Sequence, residues 1–255
     1  MKSIYQPNGK ANEYSPWACN RYNDCPHNCV YCYNNHSLMS ANVGGTTVRF
    51  KIQLLDKTTA YKIFQSELLK YKEQIKADGA LHFNFVSDLC LPETIVLNVM
   101  CIDDYAISQG IPCLILTKRA DWLKHPSVEE FLSCKNMNNV GFSLTGCDDM
   151  EPGASTNEQR IWAMQVLHDA GVLTWASIEP IIYRRNPMMS LPVVSTVATL
   201  VSSADRDFIV AVDALGLISV YWKKSLIIFI QKAKLLTLEP VFLGSPLTQN
   251  KVQWN

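Results

Sequence analysis

Short apolar runs alternate with longer amphipathic segments along most of this chain, and this alternation limits the folds that it can adopt. Helical segments are predicted at 57–76, 92–109, 119–133, 156–170, 191–204 and 222–236. The apolar runs between them are predicted to be strands: Leu81–Ser87, Pro112–Lys118, Asn139–Thr145, Leu173–Pro180 and Asp207–Gly216. With a first strand ahead of residue 25, about six strand–helix units result. Such alternation predicts a parallel sheet with helices outside it.

The chain is long enough for a single α/β domain of this kind. It has 255 residues, of which 48% are hydrophobic, and no low-complexity stretch or linker divides it. One domain over residues 1–255 is therefore predicted. Six units can close partially into a barrel or open into a doubly wound sheet, and the period of the apolar residues does not choose between them.

Charge and hydropathy narrow the classes of partner. Lys and Arg together number 23, as do Asp and Glu, so net charge does not support nucleic-acid binding, and a local basic groove is left as an alternative. No apolar run reaches the roughly 18 residues of a membrane span, and the N-terminus lacks an apolar signal core. We therefore expect no membrane partner and a cytoplasmic location. The chain has nine cysteines, and an odd number cannot all be paired within one chain. Reduced thiols in the cytoplasm are therefore expected.

Three cysteines lie close together in the run DCPHNCVYCYN, at Cys25, Cys29 and Cys32. Their thiolates are soft ligands that select zinc or iron–sulfur clusters. Structural zinc sites and ordinary iron–sulfur carriers normally take four protein ligands. Three ligands therefore favour a 4Fe–4S cluster with one iron open to another molecule.

A site with four protein ligands is the alternative. Cys19 lies six residues upstream of Cys25, and two histidines, His27 and His36, flank the other cysteines. Any of these side chains could complete a tetrahedral zinc site. The protein would then be a non-enzymatic zinc- or Fe–S-binding scaffold.

Polar side chains stand where the predicted strands end. They occur in four consecutive units: Ser87 and Asp88, Thr117 and Lys118, Ser143 and Thr145, Ser177 and Glu179. In barrel-type α/β folds the active site is built at the carboxyl ends of the strands. These residues are therefore expected to surround one mouth, although any one of them could also be a helix cap.

The cysteine loop resembles the signature of the radical S-adenosylmethionine superfamily. The runs CPHNCVYCYN, FNFVSDLCLPET, GIPCLILTKRADW and VGFSLTGCDDMEPGASTNEQRIWAMQVLHDAGVLTWASIEPII further resemble its spore photoproduct lyase-like branch, over about residues 14–183. The resemblance implies a partial (β/α)6 TIM-type barrel, with the cluster loop (19–36) after the first strand. It also implies S-adenosylmethionine as cofactor and a reductant such as flavodoxin or ferredoxin. The expected activity is formation of a 5'-deoxyadenosyl radical that abstracts hydrogen from an unidentified substrate.

The same resemblance assigns roles to residues of the loop. Cys25, Cys29 and Cys32 become the cluster ligands. Tyr31 and Tyr33 become candidate catalytic residues, since Tyr33 would lie against the adenine of the cofactor and Tyr31 near the path of the radical.

At the strand ends, the resemblance implies contacts to the cofactor. Ser87, Lys118 and Ser143 match positions that contact its methionine or ribose part. Asp88 would contact its ammonium group, and Glu179 would provide a polar contact at the mouth.

The chain departs from that branch in two places. The lyase that repairs a thymine dimer in DNA uses a cysteine two residues before the position of Ser87, where this chain has Phe85. Residues 184–255 no longer resemble the branch. DNA repair is therefore an alternative to hydrogen abstraction from another substrate. The residues Glu151, Pro152 and Gly153 are predicted to form a loop without a chemical role, ahead of a helix capped by Ser155 or Thr156.

Overall fold

The computed structural model describes residues 3–36, 40–51, 56–135, 137–178, 208–212 and 218–222. Its strands are β1 (Ile4–Tyr5), β2 (Trp17–Cys19), β3 (Tyr22–Asn23), β4 (Arg49–Phe50), β5 (Leu81–Phe83), β6 (Cys113–Thr117), β7 (Asn138–Ser143), β8 (Leu173–Ile178), β9 (Phe208–Val212) and β10 (Ile218–Trp222). Its α-helices are α1 (Lys10–Tyr14), α2 (Tyr33–His36), α3 (Ser40–Val43), α4 (Lys57–Asp78), α5 (Ile95–Val99), α6 (Ser127–Ser133) and α7 (Asn157–Asp169).

A mostly parallel sheet forms the centre of the fold. Its strand order is β1-β2-β5-β6-β7-β8-β10-β9, and β2, β5, β6, β7 and β8 run parallel to one another. Strand β1 is antiparallel to β2 at one edge, and a small separate sheet pairs β3 with β4. The prediction of an α/β fold with a parallel sheet is confirmed. Among the described residues no sheet closes on itself, so a barrel is not confirmed.

The far edge of the sheet differs from the prediction. A single strand over Asp207–Gly216 was expected to lead to a helix from residue 222. Instead β9 and β10 pair antiparallel, and β10 also pairs antiparallel with β8. The sequence of β10, ISVYW, is rich in β-branched and aromatic residues, which favour a strand. The helix expected near 191–204 and the rest of 222–236 lie outside the described residues.

Helix α4 covers the sheet beside β5 as its apolar spacing predicts. It begins where Asp56 accepts a hydrogen bond from the backbone N–H of Thr59 (2.9 Å) and ends at Gly79, whose φ is 122°. Its buried side chains include Phe64, whose ring lies 6.0 Å from that of Phe83 in β5. This packing holds the second parallel strand in place.

Two predicted helices are broken into shorter pieces. In place of one helix over 92–109, α5 continues into a π-helix, Met100–Ala106. In place of one helix over 119–133, a 3₁₀ turn at Asp121–Lys124 is followed by α6. Pro126 explains the second break, because the residue before proline avoids helical angles and His125 is extended (ψ 140°).

The order of the strands sets the place of the site. The cysteine loop follows β2 and β3, and the chain segments after β5, β6 and β7 leave the same carboxyl edge of the parallel sheet. Residues far apart in sequence therefore meet at this edge. No helix within the described ranges combines the length and the apolar character needed to cross a membrane.

Candidate functional site

The cysteine loop is a compact turn ahead of α2. Cys32 donates its backbone N–H to the carbonyl of Cys29 (3.0 Å). Asp24 and Asn28 adopt positive φ angles of 66° and 48°, which Asp and Asn tolerate better than other non-glycine residues. The loop thereby carries three free thiols on eight residues, one thiol buried and two half-buried.

The three thiols are ligands of the kind that soft metals prefer, but their side chains do not converge on one point. Burial, followed by the carboxylate of Asp88, raises the pKa of Cys25 to about 12. Charge on Cys29 also raises that pKa, and charge on Cys32 raises the pKa of Cys29, so the thiols are neighbours. Within the described part of the chain, no three His, Cys, Asp or Glu side chains converge as metal ligands do. Thiolate ligands suit an iron–sulfur cluster or zinc. The three side chains would come together when the metal or cluster binds.

The side chains that could supply a fourth ligand are engaged elsewhere. Cys19 accepts a hydrogen bond from Arg21 Nη1 (3.0 Å) inside the core. Both ring nitrogens of His27 have partners at 2.9 Å, a backbone carbonyl and a carboxylate. His36 Nε2 lies 2.8 Å from a backbone carbonyl of the loop itself. These contacts favour three protein ligands over four.

Asp88 joins the cysteine loop to the ends of β5 and β6. Four donors lie within 3 Å of its carboxylate: His27 Nε2 (2.9 Å), Cys90 N (2.8 Å), Thr117 Oγ1 (2.7 Å) and Lys118 N (2.8 Å). Burial would raise the pKa of Asp88, but the hydrogen bonds from His27 and the two amides outweigh it and lower the pKa to about 2. A carboxylate has about four lone-pair positions, and all are used. The geometry therefore favours a positioning role over the predicted contact to the cofactor's ammonium group.

The loop that follows β7 packs against the cysteine loop. Val30 donates its backbone N–H to the carbonyl of Met150 (2.9 Å), and Gly153 donates to the carbonyl of His27 (3.0 Å). A Cβ atom at Gly153 would lie 2.3 Å from the carbonyl oxygen of Pro26. Only glycine therefore allows this close approach of the two loops.

Glu151 is the central buried side chain of the site, and its carboxylate has four partners. Lys118 Nζ lies at 2.9 Å, Arg160 Nη2 at 2.7 Å and Thr145 Oγ1 at 3.0 Å, and the Tyr31 hydroxyl also donates to it. Burial would raise the pKa of Glu151, but the charges of Lys118 and Arg160 outweigh it and lower the pKa to about 2. Glu151 thus ties the cysteine loop to the ends of β6 and β7 and to α7.

Charge around Glu151 does not cancel. One carboxylate faces two cations, Lys118 and Arg160, so the group carries one net positive charge. Arg160 is fully buried and also donates to the carbonyl of Ser143 (2.7 Å) at the end of β7. The ammonium of Lys118 lies 5.5 Å from the centre of the Tyr31 ring. The arrangement suits an anionic ligand beside the cysteine loop.

The other predicted contact residues reach the same edge of the sheet. Ser87 follows β5 and is buried, and its hydroxyl has no hydrogen-bond partner among the described residues. Ser143 is the last residue of β7 and is also buried. Tyr33 is 61% exposed as a whole residue, and its hydroxyl donates to the carbonyl of Phe85, so part of its surface is accessible to a ligand. Glu179 lies outside the described residues.

Three residues that hold the candidate site together were not predicted from the sequence. Glu151 was predicted to have no chemical role, and His27 was considered only as a zinc ligand. Arg160 carried a detectable signal, because it falls on the buried stripe of α7 next to Ile161 and Met164. A buried arginine on such a stripe requires a buried partner. Nothing in the run CDDMEPG distinguishes Glu151 from its acidic neighbours.

The chain is similar to part of an uncharacterized archaeal protein. No protein-family model matches the chain, and no solved structure matches it. Uncharacterized protein MJ0683 of Methanocaldococcus jannaschii is 28% identical over 172 residues, which is 65% of this chain and 60% of the archaeal protein. The chain thus spans less than two thirds of that relative, which is itself uncharacterized.

Glu151→Gln is expected to destabilise the protein strongly. The substitution keeps the size of the side chain but leaves the fully buried Arg160 and the partly buried Lys118 without their counter-charge, which costs about 3–5 kcal/mol. Chemical denaturation of both proteins measures the difference in the free energy of unfolding. Glu158→Gln, the same change at an exposed position of α7, is the matched control and should be nearly neutral. Equal effects at both positions would contradict the assigned role of Glu151.

Acid should destabilise the protein through Asp88 and Glu151. Both folded pKa values, about 2, are below the ordinary values of 3.8 and 4.5, so the stabilisation is complete above pH 4.5 and is lost as pH falls toward 2. For Glu151 alone the loss amounts to about 3 kcal/mol. Urea unfolding at a series of pH values measures it. The Glu151→Gln variant should show a shallower slope, and an unchanged slope would argue against the ion pairs.

Proposed function

We propose that this protein is a radical S-adenosylmethionine enzyme with a partial (β/α)6 barrel. One observation carries the proposal: two buried carboxylates, Asp88 and Glu151, hold a three-cysteine loop against the carboxyl ends of three neighbouring parallel strands. Such an edge is where α/β folds of this kind bind substrates. A structural zinc loop does not need this attachment.

The residues of the loop and the strand ends fit the proposed cofactors. Cys25, Cys29 and Cys32 would hold a 4Fe–4S cluster, and their soft donors suit it. The single net positive charge of the group formed by Lys118, Glu151 and Arg160 would attract the carboxylate of S-adenosylmethionine. When bound, and given an electron from a reductant such as flavodoxin or ferredoxin, the two cofactors would supply reductive cleavage of S-adenosylmethionine to methionine and a 5'-deoxyadenosyl radical, which would abstract a hydrogen atom from the substrate.

Further side chains would orient the cofactor. The unpartnered hydroxyl of Ser87 and the strand-end position of Ser143 suit its polar groups, and the exposed part of Tyr33 suits its adenine. Glu151 holds Tyr31 beside Lys118. Glu179 stays a proposed polar contact at the mouth.

DNA repair remains the second candidate only through the resemblance. The position of the lyase's hydrogen-donating cysteine is occupied by Phe85, whose ring stacks on His82 with centres 4.0 Å apart. Cys90, the nearest following cysteine, is buried, and burial raises the pKa of its thiol well above the ordinary value. Neither residue offers an accessible thiol, so abstraction from another substrate is favoured.

Anaerobic reconstitution tests the proposed function. Protein treated with iron and sulfide should gain the visible absorption of an iron–sulfur cluster. After addition of dithionite and S-adenosylmethionine it should release 5'-deoxyadenosine, measured by chromatography. Cys32→Ala should abolish both signals, whereas Cys134→Ala, which removes a half-buried thiol outside the loop, should keep both. One zinc per chain without acid-labile sulfide in the anaerobically purified protein would refute the proposal.

Replacement of Cys19 distinguishes a metal site with three protein ligands from one with four. Cys19→Ala should retain the cluster absorption, because that thiol contacts Arg21 in the core. The variant should lose some stability, since Arg21 loses a buried partner. Loss of metal at unchanged secondary structure, monitored by circular dichroism, would establish a fourth protein ligand and support the scaffold.

A further inference from the structure

Unpartnered polar atoms are concentrated at the end of β5. Within residues 82–87, five buried side-chain atoms have no hydrogen-bond partner in the part of the chain that the structure describes: both ring nitrogens of His82, both amide atoms of Asn84 and the hydroxyl of Ser87. His82 is completely buried, and the other two side chains are almost so. Folded proteins leave few such atoms, because each costs free energy. A group of five in one short segment therefore calls for a ligand that satisfies them.

The three side chains define the chemistry of that ligand. Burial lowers the pKa of His82 to about 3, so its ring is neutral and offers one donor and one acceptor. The amide of Asn84 and the hydroxyl of Ser87 each both donate and accept. None of the three carries a charge, so an ionic ligand group would gain no counter-charge from them.

Two aromatic rings pack against the ring of His82. The ring of Phe85 is stacked on His82, with an angle of 4° between the planes. The ring of Tyr14 meets His82 edge-on at 5.7 Å, and its hydroxyl lies 2.8 Å from Ser177 Oγ at the end of β8. These rings shield the nitrogens of His82 from bulk water, and Asn84 and Ser87 are themselves almost fully buried, which strengthens hydrogen bonds to a bound ligand.

We infer that His82, Asn84 and Ser87 form a binding subsite for an uncharged ligand group that donates and accepts hydrogen bonds, such as a hydroxyl or a carboxamide. The inference deepens the proposed function and rests on it for the source of the group. That source is either the ribose of S-adenosylmethionine or the substrate. His82 and Asn84 have no other assigned role, and apolar residues in their place would stabilise the ligand-free protein.

Melting temperatures of the ligand-free protein test the subsite without any cofactor. His82→Phe keeps an aromatic ring against Phe85 and removes both ring nitrogens. Asn84→Gly removes the amide, and glycine adopts the φ of 59° at this position freely. Each variant should melt about 2 °C or more above the wild type.

The control is Asn28→Gly, because Asn28 also has a positive φ but is exposed. Its melting temperature measures the backbone contribution of an Asn-to-Gly change. Variants that melt below both the wild type and Asn28→Gly would overturn the inference, because a structural role would then explain the polar atoms.

Equilibrium dialysis of reconstituted protein with S-adenosylhomocysteine identifies the source of the group. About tenfold weaker binding by a more stable Asn84→Gly variant assigns the subsite to the cofactor's ribose. Unchanged binding by the same stabilised variant assigns it to the substrate. Absence of cluster absorption in the reconstituted wild type would refute the proposed function. The melting temperatures would still show whether the subsite exists, because they need no cofactor.

Discussion

The buried carboxylate of Glu151 is the interaction on which the rest of the site depends. Burial of a charge is costly unless partners replace the lost water, and Glu151 has two cations and two hydroxyls around it. These partners come from the cysteine loop, the end of β6, the segment after β7 and helix α7. Loss of this one carboxylate would leave four parts of the chain without their common contact.

Asp88 also attaches the cysteine loop to the strand ends, through partners that differ from those of Glu151. Its carboxylate is surrounded by hydrogen-bond donors, two of them backbone amides, and it links His27 of the cysteine loop to Lys118. The two carboxylates therefore hold the same loop at two different residues, His27 and Tyr31. Their difference matters for the proposed chemistry, because the lone pairs of Asp88 are filled while the surroundings of Glu151 retain a positive charge. The loop is positioned by protein contacts before any metal binds, which is the arrangement that a precise site requires.

Several local features were predictable because they depend on neighbours in the sequence. Helix α4 follows from its apolar spacing, and Thr156 caps α7 in a capping box with Gln159, as its residue type predicts. The hairpin of β9 and β10 was not predictable from the apolar pattern, since the run reads equally as one strand and a helix face. The break before α6 could have been predicted from Pro126, whereas the π-helix within 100–106 has no signal in the apolar period.

The sequence by itself determined the parallel α/β architecture, the three-cysteine donor set and the candidates at the strand ends, because spacing and residue type are local properties. Only the tertiary structure decided which of those candidates are available for a ligand. The hydroxyl of Ser87 has no hydrogen-bond partner among the described residues, whereas all lone pairs of the Asp88 carboxylate are used. Both outcomes depend on which distant segments pack beside these side chains. The role of Glu151 depends on contacts across 120 residues, from Tyr31 to the loop after β7. Contacts of that range are set by the packing of the strands and cannot be predicted from the local sequence pattern.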